Sequence, residues 1–199
     1  MLTKIKSKYI IISIFDFLKN KRKLKIIKCN KALLNHLNIT KEDFHSYEII
    51  QEFNNKYNMN IDIDLEVKEL NMNLKHTGNE LLEYFTKLKF RGLEKLHLSS
   101  NNITNIDILE KANFQELKEL YISGNEISGI SVLSRVNWDK IEILDFSHNN
   151  IMNIDDLEKT RLKNLKEIYF YDNTIDDTKV FEKIGFENVG YKWVKKNKL

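Results

Sequence analysis

Four stretches of the chain are variations on one pattern. LEKLHLSSNNI (93–103), LKELYISGNEI (117–127), IEILDFSHNNI (141–151) and LKEIYFYDNTI (165–175) carry apolar residues at the first, fourth, sixth and eleventh places and asparagine at the ninth. The asparagines, Asn101, Asn125, Asn149 and Asn173, are spaced by 24 residues each time. A unit this short cannot bury an apolar face alone, so a fixed period of this length requires consecutive units to stack and bury their faces against one another. The intervening residues repeat as well. Phe90, Phe114, Trp138, Leu162 and Phe186 form one column, Leu109, Leu133, Leu157 and Phe181 a second, and Ile106, Ile130 and Ile154 a third.

The pattern resembles the leucine-rich repeat family, whose motif is L-x-x-L-x-L-x-x-N-x-L with Ile or Phe allowed at the apolar places. All four segments match at every fixed position. The resemblance implies an α/β fold, a leucine-rich repeat solenoid with a short strand in every coil and one or two helical turns on the convex side. The four asparagines are read as structural, because an inward-pointing amide can satisfy backbone groups of adjacent turns that would otherwise be buried unpaired. A weaker coil precedes the ladder, with Val67, Leu70 and Met72 at the strand places and Lys75 where the asparagine should be. Residues 78–90 then predict an amphipathic helix with Leu81, Leu82, Phe85 and Leu88 facing inward. At the other end Val189, Val194 and Asn197 fall in register for a degraded closing coil, Lys192 stands where an apolar residue is expected, and Trp193 beside it is placed to cover the open end. The solenoid thus spans 67–199.

Residues 1–66 do not follow the repeat and predict three helices, over Lys8–Leu18, Lys23–Leu37 and Glu42–Asn55. One reading is a helical N-terminal cap covering the exposed edge of the first coil. The other starts from IIISIFDFL (10–18) followed by LKIIKCNKAL (24–33), which resembles a diverged F-box. Ile14, Phe15, Phe17 and Leu18 match the I-F-x-F-L core and Cys29 lies near the family cysteine, while the opening Leu-Pro pair and closing Trp are missing. That resemblance implies docking of Ile14, Phe15 and Leu18 to the Skp-type linker of a cullin ubiquitin ligase, with the repeats holding a substrate. The alternative is a structural or regulatory subunit of a larger assembly, in which the N-terminus is only a cap.

Strand alternation puts every second side chain on the open, concave face of the sheet. His97, Tyr121, Ile143, Asp145, Tyr169, Tyr171 and Asp172 are the candidate partner-binding residues there. Tyr121 and Tyr169 should stand about 10 Å apart, two strand spacings, with Asp145 between them. Tyr121, Tyr169, Tyr171 and Ile143 suit an aromatic hot spot, and cross-strand packing between β-favouring residues explains the same residues equally.

Composition mainly excludes. A formal net charge of +3 is too weak to imply a nucleic-acid partner, although residues 1–43 hold eleven Lys or Arg against three acids. The Lys-rich stretch 19–25 reads as a solvated face, since Lys is abundant throughout. Cys29 is the only cysteine, which excludes an intramolecular disulfide framework and favours a reducing compartment. The apolar run Tyr9–Leu18 is about half of the ~20 residues a membrane helix needs, so a cytoplasmic or nuclear location is expected. No Gly-rich phosphate loop, metal-ligand spacing or nucleophile–base constellation occurs, and neither enzymatic activity nor a cofactor is expected. The function that remains is non-enzymatic binding of a protein partner.

Overall fold

The computed structural model describes residues 41–59, 65–74 and 77–196. Among these residues, seven strands form one sheet. In chain order they are β1 (Glu69–Asn71), β2 (Lys95–His97), β3 (Glu119–Tyr121), β4 (Ile143–Asp145), β5 (Glu167–Tyr169), β6 (Phe186–Val189) and β7 (Lys192–Lys195). Their order across the sheet is β1-β2-β3-β4-β5-β7-β6. The first five pair in parallel with one register throughout: Leu70, Leu96, Leu120, Leu144 and Ile168 stand side by side. The offset between β1 and β2 is therefore 26 residues and every later one is 24.

The middle residue of β2, β3, β4 and β5 is buried and its two neighbours are half-exposed. That period of two puts one leucine or isoleucine per strand into the core and leaves two side chains per strand on the open face. The sixth motif place, Leu98, Ile122, Phe146 and Phe170, is buried too, as are Ile103, Ile127 and Ile151. The chain then returns behind the sheet through short 3-10 turns at Asp107–Lys111, Ser131–Ser134 and Asp155–Lys159, which seat Leu109, Leu133 and Leu157 inward. In the next unit a helical turn at Lys179–Lys183 seats Phe181 instead. The aromatic column packs ring to ring, with Phe90 at 6.4 Å from Phe114 and Phe114 at 6.3 Å from Trp138.

The asparagines bind the units to one another. Asn125 accepts from the N–H groups of Asn101 and Ile103, both at 3.0 Å, and donates to the carbonyls of Leu98 and Ile122 at 3.1 and 2.8 Å. Asn149 and Asn173 likewise accept from Ile127 and Ile151 of the preceding unit. Asn101 reaches back to the Met72 carbonyl and the Leu74 N–H of the first coil. Just before each asparagine the backbone turns left-handed, at Ser100, Gly124, His148 and Asp172, with φ between 53 and 63°. Gly124 is the one of the four that fits without strain, and a Cβ there would lie 3.2 Å from the Ser100 hydroxyl.

On the N-terminal side, helix α1 (Lys41–Tyr57) packs on helix α2 (Glu80–Lys87). Phe53 meets Tyr84 edge-on at 5.1 Å, and Ile49, Ile50 and Phe53 are buried with Met72, Phe85 and Leu88 in one cluster. Helix α1 extends slightly beyond the expected 42–55 at both ends. The helices expected at 8–18 and 23–37 lie outside the described residues.

The closing end departs from the repeat. In place of another parallel coil, β6 and β7 form an antiparallel hairpin, and β7 pairs antiparallel with β5. The physical reason lies in side-chain parity. A parallel coil with Val189 and Val194 in register would turn Lys192 into the core. The reversed strand instead sets Trp193 opposite Ile168 and stacks it on Phe181 at 4.2 Å, while Lys192 ion-pairs with Glu167 on the open face. Val189 is left 50% exposed at the hairpin tip, and Asn197 lies outside the described residues.

The second motif place alternates in sign from strand to strand. Glu94 meets both Lys68 and Lys118, at 3.1 and 2.6 Å, and Glu142 meets Lys166 at 2.7 Å. A unit shifted by one step would oppose like charges here, so the alternation favours the observed order of stacking.

Candidate functional site

The open face of the sheet carries two in-register rows. The first is Glu69, Lys95, Glu119, Ile143 and Glu167, and the second is Asn71, His97, Tyr121, Asp145 and Tyr169. Lys192 of β7 extends the face beyond β5, 3.0 Å from Glu167.

Most of these side chains are engaged with one another. His97 is 3.0 Å from Glu69, and its ring stacks on Tyr121 at 4.7 Å with the planes 8° apart. The Tyr121 hydroxyl donates to Glu119 at 2.7 Å, and Lys95 meets the same carboxylate at 2.8 Å. The arrangement recurs two strands on, where the Tyr169 hydroxyl donates to Glu167 at 2.6 Å. Burial, followed by the Glu119 carboxylate, pushes the Tyr121 hydroxyl well above the usual phenol range, and burial with Glu167 pushes Tyr169 up as well. For Glu119, burial works to raise the carboxyl, but Lys95 and the Tyr121 hydroxyl prevail and hold it below its ordinary value. Glu167 is held low by the Tyr169 hydroxyl and Lys192.

The structure divides the aromatic patch expected from the sequence. Tyr121 and Tyr169 do flank Asp145 in one row, but Tyr121 is joined to His97, and Tyr169 lies 6.1 Å from Tyr191 in the closing hairpin. Ile143 sits one row away, between Glu119 and Glu167. Tyr171 stands at the end of a further row whose other members are the Ser99–Ser123 pair, 3.1 Å apart, and buried Ser147. Its ring meets His148 edge-on at 5.4 Å, and His148 pairs with Asp172 at 2.8 Å. His97 and His148 therefore serve separate contacts. Among the described residues, no group of three or more His, Cys, Asp or Glu side chains could hold a metal ion. Ile14, Phe15 and Leu18 lie outside the described residues.

Tyr191 and Lys192 were not among the candidate residues read from sequence. Extending the repeat register through 189–197 hid them, because the hairpin reverses the strand that carries them. A legible signal did exist: Gly190 follows the strand-like stretch FENV, and Lys192 occupies a place the repeat reserves for the core.

Residues 91–135 match the family described as Leucine Rich repeats (2 copies). No curated protein matches the chain. Among solved structures, it is similar to an internalin (inlF) of Listeria monocytogenes, at 23% identity and a TM-score of 0.42 over 51% of this chain and 28% of that one. It is also similar to internalin C2 of the same organism, at 22% identity and a TM-score of 0.39 over 60% of this chain and 58% of that one. The chain thus spans less than two thirds of the length of either. The repeat match, together with the parallel sheet in a mixed α/β architecture, fits a leucine-rich repeat fold. Among the described residues no helix is long and apolar enough to cross a membrane.

Proposed function

We propose that this chain is a non-enzymatic protein-binding module that takes its partner on the open face of the repeat sheet. In this reading the repeats form a short solenoid, α1 is its helical cap, and the β6–β7 hairpin seals the other end. The observation that carries the reading is the aromatic end of the face. Tyr171 and Tyr191 leave 60% and 65% of their surface to solvent; Tyr171 follows just after β5, and the Tyr191 ring lies 6.1 Å from Tyr169 of that strand. Tyrosines exposed in this way offer large, stiff contact area with a polar tip, and a sheet already fixed by parallel pairing needs little ordering on binding.

The test is capture of partners from native cells with wild type and with a Tyr171→Ala, Tyr191→Ala variant. Both rings are mostly solvated, so the variant should melt within a few degrees of wild type while losing the captured protein. Undiminished capture by the folded variant refutes the reading. The linker-docking role of Ile14, Phe15 and Leu18 is supported by sequence resemblance alone. It predicts that Ile14→Ala with Phe15→Ala releases a Skp-type linker and cullin from the captured set. Absence of both proteins from the wild-type set removes that role.

A further inference from the structure

Strand β4 lies at the floor of a lane on the open face. Ile143 and Asp145 form that floor, with Glu119 and Glu167 on either side of Ile143 and Tyr121 and Tyr169 on either side of Asp145. Both tyrosines are engaged from the side away from the lane. His97 of β2 stacks on Tyr121, and Lys192 and Tyr191 approach Tyr169 from the hairpin at 5.7 and 6.1 Å. Their hydroxyls are tied to Glu119 and Glu167. The rings are therefore held in place by contacts outside the lane, and among the described residues no ring or cation meets them from above β4.

Each carboxylate of the two in-register rows meets a lysine or histidine side chain, with one exception. Glu119 holds Lys95, Glu167 holds Lys192 and Glu69 holds His97. Asp145 accepts the Ser147 N–H at 2.9 Å and meets no cation among the described residues. Two strand spacings set the flanking tyrosines about 10 Å apart. A cation midway between them would lie about 5 Å from each ring, inside the ~6 Å reach of a cation–π contact.

We infer that this lane receives one arginine or lysine side chain of a protein partner, its charged head over Asp145 between Tyr121 and Tyr169 and its methylene stem over Ile143. The inference rests on the protein-binding reading and gives that partner a chemistry. A long basic side chain matches the floor in order, an apolar stem on isoleucine and a charge on carboxylate. An acidic ligand would meet Glu119, Asp145 and Glu167 together. An apolar one would bury the Asp145 charge without a partner, which is strongly unfavourable.

The test titrates the full chain, isotopically labelled for NMR, with an acetylated and amidated Gly-Arg-Gly peptide. The same peptide with citrulline, the neutral isostere of arginine, and free spermidine serve as comparisons. The arginine peptide should shift the backbone amides of Tyr121, Asp145 and Tyr169, and the citrulline peptide should bind more weakly. Asp145→Asn should weaken the arginine peptide about fivefold, the upper range for an exposed ion pair, and Asp176→Asn, at an exposed acid in the turn after β5, should leave it unchanged. Asparagine keeps an acceptor for the Ser147 N–H, and a thermal melt confirms that the variant is folded. Shifts scattered over other surface acids, equal binding by Asp145→Asn, or occupation of the lane by spermidine but not by the peptide would each overturn the inference. If the peptide fails while Tyr171→Ala with Tyr191→Ala still abolishes partner capture, the lane is wrong and the binding face stands. If the peptide fills the lane while partner capture survives Asp145→Asn, the lane is not where the partner binds and the inference falls.

Discussion

Replacing Asn125 with alanine isolates what one rung of the asparagine ladder contributes. The side chain is buried, and five backbone groups face it. Three of these, the Leu98, Ile122 and Ser123 carbonyls, keep a partner in the variant, because they also receive the amide of Asn101 at 2.9 Å, the amide of Asn149 at 3.2 Å and the Ser100 N–H at 3.0 Å. The other two, the N–H groups of Asn101 and Ile103, have Asn125 as their acceptor and no other among the described residues. Two buried donors are therefore orphaned, each at about 1–3 kcal/mol, for a total of about 2–6 kcal/mol. That is a large share of the ~5–15 kcal/mol by which a domain is stable. Asn173→Ala is the internal comparison. It orphans one such donor, the Ile151 N–H, and takes the amide from the Phe170 carbonyl, but from a half-buried position that water reaches, so about 1–3 kcal/mol is expected. Urea denaturation followed by far-UV circular dichroism measures both, provided that the slopes with denaturant agree. A loss below about 1 kcal/mol at Asn125, or equal losses at the two sites, would refute the reasoning.

Phe53→Ala removes the ring that joins α1 to Tyr84 and should destabilise the chain by about 3–5 kcal/mol, and an unchanged melt would mean that α1 does not contribute to the fold. Trp193→Ala strips the stack on Phe181 and should cost about 3 kcal/mol, with the first protection lost from β5 and β7 in hydrogen exchange rather than from β2. The acid response follows from the ion pairs. The carboxyls of Glu94, beside Lys118 and Lys68, and of Glu167, beside the Tyr169 hydroxyl and Lys192, are held below their ordinary values. A folded value below the unfolded one, about 4.3 for glutamate, means the stabilisation is complete above that value and is lost as the pH falls through the folded values. The melting temperature should stay level from about pH 7 to about pH 5 and drop below about pH 4. Glu167→Gln should remove part of that drop, and a profile still level at about pH 3 would contradict it.

Much of the core was legible because stacking imposes a strict condition on sequence. A residue that faces inward in one unit must be matched by one that faces inward in the next. Hence Leu96, Leu120, Leu144 and Ile168, or Phe90, Phe114 and Trp138, could be placed before any coordinate was known. The alternating charges Lys68, Glu94, Lys118, Glu142 and Lys166 are written in the same register. They escape a reading attentive only to apolar columns. The candidate site was legible in part. Which side chains share the open face follows from alternation, but which of them touch does not. Tyr121 could turn toward His97 or toward Asp145, and the choice depends on side-chain torsions and on carboxylates such as Glu119 that draw its hydroxyl.

The sequence by itself therefore determined the period, the parallel pairing and the inward columns, because each is a relation between equivalent residues a fixed distance apart. Tertiary structure alone decided the ends and the contacts across the face. After β5 the chain leaves the repeat pattern, with Lys192 at a place the repeat reserves for the core, and the reversed strand instead sets Trp193 opposite Ile168 and stacks it on Phe181. That reversal brings Tyr191 and Lys192 to the open face. By engaging Tyr169 from one side while His97 engages Tyr121 from the other, it leaves Asp145 between two rings without a cation of its own among the described residues.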